Sequence, residues 1–292
     1  MSSIEVIITP PASVLRISGE DHLDFLQNQG TADLPGKAGQ VRYSLWLDHK
    51  GLIQGDAFVL QLDEDSALLV SYGTPGSDLR AKFERHIVAD DVEVEEVTND
   101  WKLVSLPARS AESYLRKRAA TLEEGAFIRE AEGYLFAGRR LGPGSLESLV
   151  PAKMEVPLEM KSIPQPEATR IRIKAGIPAI PEDVPPGVLN PIEAGIHSAL
   201  SFDKGCYLGQ EVVARVHRLN RLGSRLVRFS GTGPLPELPL ILEDNGREVG
   251  WMTTGTVDDG GYLAIGRLKS RYTPGSHVFR DLAVEVTELP PS

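Results

Sequence analysis

The chain has 292 residues, room for two domains at roughly 150 residues each. Its 41% hydrophobic and 25% charged residues exclude wholesale disorder and a fibrous chain. Lys and Arg total 31 against 41 Asp and Glu, so the formal charge of −10 excludes a general nucleic-acid coat. A local basic patch could still meet an anionic ligand. No apolar run approaches the roughly 20 residues needed to cross a bilayer. The N-terminal stretch MSSIEVIITPPASVLR lacks the basic start and continuous apolar run of a signal peptide. The single cysteine, Cys206, makes no intrachain disulfide and no Cys-rich metal site. These features predict a soluble cytoplasmic protein without membrane partners.

In chain order, residues 4–9 and 14–17 are short β-branched strands separated by Pro10 and Pro11. Residues 18–21 resemble a capping box for a helix carrying Leu23, Phe25 and Leu26, which Gly30 stops. Residues 51–62 and 67–72 read as strands joined by the acidic turn 63–65. Ser77 is placed to cap a helix whose Leu79, Phe83 and Ile87 recur every four residues. Val92 and Val94 alternate with acids as in a half-buried strand. Residues 101–106 and 133–138 are strands, and 110–121 a helix. This interleaving favours α/β sandwiches of modest size. Residues 141–191 hold many prolines and read as ordered loops around short strands. After about residue 222 the helical period disappears. Strands at 226–229, 240–242, 248–252, 262–268 and 282–286 alternate with turn signals such as Asn245-Gly246, so the tail predicts a small β-barrel.

No Walker loop, dinucleotide-type glycine fingerprint, HExxH or CxxC occurs, and the six histidines are scattered. Two segments stand out. Residues 202–211 set the only thiol beside Lys204, between Gly205 and Gly209, with Gln210 and Glu211 following. Glycines permit positive φ and close backbone approach, and a neighbouring cation favours the thiolate. A buried structural cysteine in a tight turn is the competing reading. Then Arg215, Arg218, Arg221, Arg225 and Arg228 crowd a short stretch of an acidic chain. They are either a solvated face or a receptor for carboxylate or phosphate oxygens.

The run KGCYLGQE over residues 204–211 resembles the signature of the folate-binding YgfZ family. Gly19–Asp33, Tyr43–Asp56, Arg170–Pro178, Pro191–Gly195 and two stretches of the tail are similar to further segments of that family, so the resemblance covers nearly the whole chain. The family is related to the aminomethyltransferase (T-protein) of glycine cleavage. The resemblance implies an α+β fold: two interleaved ferredoxin-like modules forming a folate-binding part over residues 1–221, then a small β-barrel over 222–292. It also implies non-covalent tetrahydrofolate, with an iron–sulfur cluster held at most transiently. The implied role is support of iron–sulfur cluster assembly or repair and, through client enzymes, of tRNA modification. Partners are then folate, polyglutamylated or not, and iron–sulfur client or assembly proteins, without direct tRNA binding.

Carried onto this chain, the resemblance makes Cys206 a candidate reactive thiol tuned by Lys204. It assigns ligand binding to Asp56, Arg172, Glu193, Tyr207, Gln210, Glu211 and Arg215, with the cleft bordered by the first four. Two departures matter. The transferases have a glutamate where this chain has Lys174, and a cation cannot accept hydrogen bonds from pterin N–H groups. They also carry paired aspartates where Gly55-Asp56 keeps only the second. Both departures favour the accessory role over the alternative, tetrahydrofolate-dependent aminomethyl transfer.

Overall fold

A computed structural model describes residues 4–34, 36–117, 120–155, 157 and 160–290. The first strand, β1 (Ile4–Thr9), does not join the next five. β2 (Ser13–Ser18), β3 (Val41–Leu47), β4 (Ile53–Gln61), β5 (Ser66–Ser71) and β6 (Glu93–Glu96) form one sheet in the order β3-β4-β5-β2-β6. The chain then returns to β1. β7 (Trp101–Leu106), β8 (Phe127–Glu130), β9 (Gly133–Ala137), β10 (Leu146–Pro151) and β11 (Met160–Ser162) complete a second sheet, β11-β1-β7-β10-β9-β8.

Alternation of side chains along the strands explains how the two sheets stack. In β5, Leu68 and Val70 point into a core shared with Phe136 and Leu149 of the other sheet. Ala67 and Leu69 point the opposite way, onto Phe25 and Leu26 of α1 (His22–Gln29) and Leu79 and Phe83 of α2 (Gly76–Glu84). The second sheet turns Val104, Leu106 and Leu135 outward onto Ala111 and Tyr114 of α3 (Ala108–Lys117). Both sheets are therefore apolar on both faces, as sheets covered on both sides must be. Backbone bonds from Val41 N–H to Gly125 and from Phe127 N–H to Gly39 stitch their edges together.

Several local expectations are corrected. Asp21 precedes α1 but makes no side-chain cap, because its carboxylate accepts from Asp91 N–H at 2.8 Å. Pro75, not Ser77, stands at the start of α2. The proline-rich stretch contains a helix, α4 (Gln165–Lys174): Pro164 stands before it and Pro166 lies in its first turn, where no intrahelical N–H bond is lost. A second unpredicted helix, α5 (Gln210–Leu219), follows Gly209.

The tail forms a six-stranded antiparallel sheet from β12 (Ser224–Thr232), β13 (Leu240–Asp244), β14 (Arg247–Asp258), β15 (Gly261–Lys269), β16 (Gly275–Phe279) and β17 (Leu282–Glu288). Its order is β13-β14-β15-β12-β17-β16, and β13 and β16 form no ladder with each other. It curls around Val227, Phe229, Met252 and Val286 as a half-barrel, so the expected closed barrel is not formed. Ile173 of α4 packs on Leu263 and Ile265, and the loops after α4 fill the space between this sheet and β3–β4.

Candidate ligand-binding cavity

The three sheets leave a cavity of about 260 Å³ between them. Thr9 of β1, Tyr43 of β3, Asp56 of β4, Tyr72 after β5, Arg139 and Arg140 after β9, Arg172 of α4 and Thr254 of β14 all reach it. Residues distant in sequence therefore share one lining.

Asp56 is buried in β4, and three hydroxyls serve it. The Tyr43 phenol donates to Oδ2 at 2.7 Å, while Thr74 Oγ1 at 2.7 Å and Ser71 Oγ at 3.1 Å donate to Oδ1. Gly55 makes this possible, because a Cβ there would lie 2.5 Å from the Thr74 methyl. Burial raises the Tyr43 phenol well above its usual range; Arg139 opposes the shift and Asp56 adds to it. Tyr43 is therefore a neutral donor.

A second network lies behind Tyr72. Its hydroxyl donates to Glu147 Oε1 at 2.8 Å, and Ser105 Oγ donates to Oε2 at 2.5 Å. Burial raises the Glu147 carboxyl above its usual range, against the pull of Arg140 and of these two hydrogen bonds. The Arg139 Cζ stands 4.0 Å from the centroid of the Tyr43 ring, and the Arg140 Cζ 4.4 Å from that of Tyr72.

The third network joins the tail to the rest. Arg172 donates to Asp183 Oδ2 at 2.5 Å, and Ala179 N–H reaches the same oxygen at 2.8 Å. Thr253 and Thr254 of β14 both donate to Oδ1 at 2.6 Å. Asp183 is fully buried, so its four acceptor positions are filled by donors from α4, the following loop and the tail sheet.

Of the residues expected at the cleft, Asp56 and Arg172 line it; Glu193 and Tyr207 do not. Glu193 accepts from Asn190 Nδ2 at 2.9 Å and from Ser224 N–H at 3.3 Å, anchoring the start of β12. Tyr207 is buried among Leu45, Ile192 and Val213, which pushes its phenol up to about 12. Gln210 and Glu211 open α5, away from the cavity. Arg215, Arg218 and Arg221 are exposed, while Arg225 donates to the carbonyls of Ser270 and Tyr272. None of these arginines lines the cavity.

The Lys204–Glu211 segment is folded by its own side chains. Lys204 Nζ donates to the carbonyls of Gln27, Gly30 and Ala32 at 2.6, 2.9 and 2.7 Å. All three of its N–H groups are used at the C-terminal end of α1, where a cation is favoured. None is left for the thiol. Burial pushes Lys204 down to about 8, and Asp33 pulls it back up. Gly209 has φ 84°, and a Cβ there would lie 2.6 Å from the Asp48 carbonyl oxygen. Gly205 faces open space and has no positive φ. Cys206 is exposed. Lys174 turns to Asp258 of the tail sheet at 2.9 Å and does not line the cavity.

Sequence reasoning missed Arg139, Arg140, Glu147 and Asp183. The signals were present: two consecutive arginines between glycines after an apolar strand, and one acid inside the otherwise uncharged run 145–150.

Residues 11–133 match the GCVT N-terminal domain. The chain is 27% identical over 301 residues to a candidate chloroplastic transferase of Arabidopsis thaliana, covering 94% of this chain and 68% of that one. It is 25% identical over 266 residues to the human mitochondrial iron–sulfur cluster assembly factor IBA57, covering 83% and 72%. An aminomethyltransferase of Thermoanaerobacter sp. matches at 24% over 264 residues, covering 82% and 71%. The crystal structure of the glycine cleavage system aminomethyltransferase T from Bartonella henselae superposes on the whole chain, with a TM-score of 0.80, 19% identity and 87% of that chain covered. The cytoplasmic expectation is overturned: the matching assembly factors from human, Yarrowia lipolytica and Cryptococcus neoformans are named as mitochondrial.

Proposed function

We propose a function from one premise: the chain is a GCVT-domain protein, related to the folate-binding YgfZ and IBA57 proteins and to the aminomethyltransferases. In this reading it binds a reduced folate non-covalently in the central cavity. Through Cys206 and its surroundings it supports assembly or repair of iron–sulfur clusters in client enzymes, including those that modify tRNA. The observation that carries the reading is the cavity itself. Its lining comes from residues between Ile7 and Glu182 and from Thr254 of the tail sheet, the two parts that this reading takes as a folate-binding part over residues 1–221 and a tail over 222–292. Its polar groups converge on a small space otherwise walled by apolar side chains, as ligand sites require.

The residues fit such a ligand. Asp56, oriented by three hydroxyls, would offer its remaining acceptor capacity to ring N–H donors. Tyr43 and Tyr72 supply ring faces, and Arg139 brings a buried guanidinium nitrogen with no acceptor. A folate bound there would supply a one-carbon carrier.

The test pairs calorimetric titration of tetrahydrofolate with iron–sulfur enzyme activity in cells that lack the protein. Binding that Asp56→Ala abolishes, together with restored client activity, supports the reading. No binding at millimolar folate refutes it.

The second reading is aminomethyl transfer, favoured by the superposition on aminomethyltransferase T. Against it, Lys174 is paired with Asp258 outside the cavity, and Gly55 stands where the transferases have an aspartate. Turnover with tetrahydrofolate and an aminomethyl-lipoyl carrier would decide for it.

A further inference from the structure

Three arginines line the cavity, and they differ in what surrounds them. Arg172 is paired with the buried Asp183. Among the described residues, Arg139 and Arg140 make no ion pair. Arg140 spends one N–H on the Thr9 hydroxyl at 2.5 Å. Arg139 has a buried Nη2 with no hydrogen-bond partner. A guanidinium nitrogen shut away from water without an acceptor is costly, so this atom marks a place where an acceptor belongs.

The tyrosines define how the two cations are presented. Each guanidinium stands over one ring, Arg139 over Tyr43 and Arg140 over Tyr72. A ring face occupies the flat side of a guanidinium and leaves its N–H edges free. Two adjacent forks with free edges suit a carboxylate, which accepts two parallel N–H bonds. Of the carboxylates around them, exposed Glu182 lines the cavity but pairs with neither arginine among the described residues, and the other two are committed elsewhere. Asp56 is held by its three hydroxyls, and Glu147 by Tyr72 and Ser105.

We infer that Arg139 and Arg140 form a carboxylate subsite inside the cavity, which takes the acidic end of an aryl-amide ligand. The identity of that ligand rests on the folate reading, in which the subsite receives a glutamyl carboxylate. The subsite displaces the exposed Arg215, Arg218 and Arg221 from that role, because none of them reaches the cavity.

The experiment titrates the full chain with three probes. Tetrahydrofolate carries both ends, N-(4-aminobenzoyl)-L-glutamate carries the acidic end without the pterin, and 6-methyltetrahydropterin carries the ring without a carboxylate. Arg139→Met and Arg140→Met should each weaken the first two by about tenfold or more, the worth of a lost charge-assisted bond, and leave the third unchanged. Equal losses on all three probes, or on the pterin alone, overturn the subsite by assigning the arginines to the ring. Unchanged affinity for the first two overturns it as well.

The folate reading fails separately. A wild type that ignores tetrahydrofolate and the pterin, yet binds aminobenzoylglutamate through the arginines, keeps the subsite and refutes folate. A wild type that binds tetrahydrofolate without help from the arginines keeps folate and refutes the subsite. A wild type that binds none of the three refutes both. Should a Met variant unfold, Arg139→Lys and Arg140→Lys keep the charge and lose the fork. Their affinity for the two acidic probes should fall below wild type, and equality with wild type overturns the subsite.

Discussion

Replacing Asp183 by Asn tests whether one buried carboxylate joins the tail sheet to the rest of the molecule. The carboxylate takes Arg172 and Ala179 N–H on one oxygen and the Thr253 and Thr254 hydroxyls on the other. An Asn can keep an oxygen toward only one pair. The threonine hydroxyls can rotate to accept, and Thr253 already has a second acceptor in the Ile265 carbonyl at 3.0 Å. The amide nitrogen therefore turns toward them, and Arg172 faces a neutral oxygen. The Arg172 side chain is 11% exposed and Asp183 is 0%, so the guanidinium is left buried and uncompensated. Breaking such a pair from one side costs about 3–5 kcal/mol, a large part of the roughly 5–15 kcal/mol that separates folded from unfolded chains. Urea unfolding monitored by tryptophan fluorescence measures the loss. Arg172→Met added to Asp183→Asn should recover part of it, because an uncharged pair leaves nothing unpaired. Folate affinity should fall in Asp183→Asn, since Arg172 and Thr254 line the cavity. A loss under about 1 kcal/mol, or a double variant costing the sum of the singles, refutes the role assigned to Asp183.

Gly209→Ala should cost about 2 kcal/mol or more, with strain at φ 84° and a Cβ driven into the Asp48 carbonyl; Gly205→Ala, in open space, should stay within about 0.5 kcal/mol in the same denaturation assay. Lys204→Met strands three carbonyls at the end of α1 and should cost about 2 kcal/mol, with faster amide exchange over residues 26–32. Glu147 is raised above the usual carboxylate value by burial, so the folded state holds its proton where the unfolded chain has released it. Its contribution then falls as pH rises from the ordinary carboxylate range of the unfolded chain through the raised folded value, and Glu147→Gln should flatten that decline in melting temperature. Cys206→Ser should leave stability within about 0.5 kcal/mol, because the residue is exposed, while client iron–sulfur activity collapses in complementation. Activity preserved at wild-type level would make the thiol dispensable.

The strands were legible where one physical signal decides them. β1 matches residues 4–9 because a β-branched run ends at a proline pair, and the hairpin of β13 and β14 turns at Asn245 and Gly246, both at positive φ. Helices α4 and α5 were hidden for opposite reasons. Pro164 and Pro166 read as loop formers, although the first turn of a helix tolerates proline. α5 buries only Val213 among its ten residues, and although Val212, Val213, Val216 and Leu219 recur at helical spacing, the arginines between them read as a charged run. The openness of the tail sheet was equally invisible. Strand number does not set whether two edge strands meet; register and curvature do.

The site was less legible than the fold, because its chemistry depends on strand pairing between remote segments. Tyr43, Asp56 and Thr74 meet only once β3, β4 and β5 are in register, and Arg139 joins them from the other sheet. The one motif visible in the sequence is built differently from how its composition suggests. Lys204 holds α1, Tyr207 fills a core and Gly209 lets two backbones touch. Each of these residues has structural work that its neighbours impose. Cys206 has none: it is exposed, and Gly205 beside it faces open space. Lys204, Tyr207 and Gly209 are therefore fixed by packing while the thiol is left facing solvent, so a substitution at Cys206 tests the thiol without testing the fold.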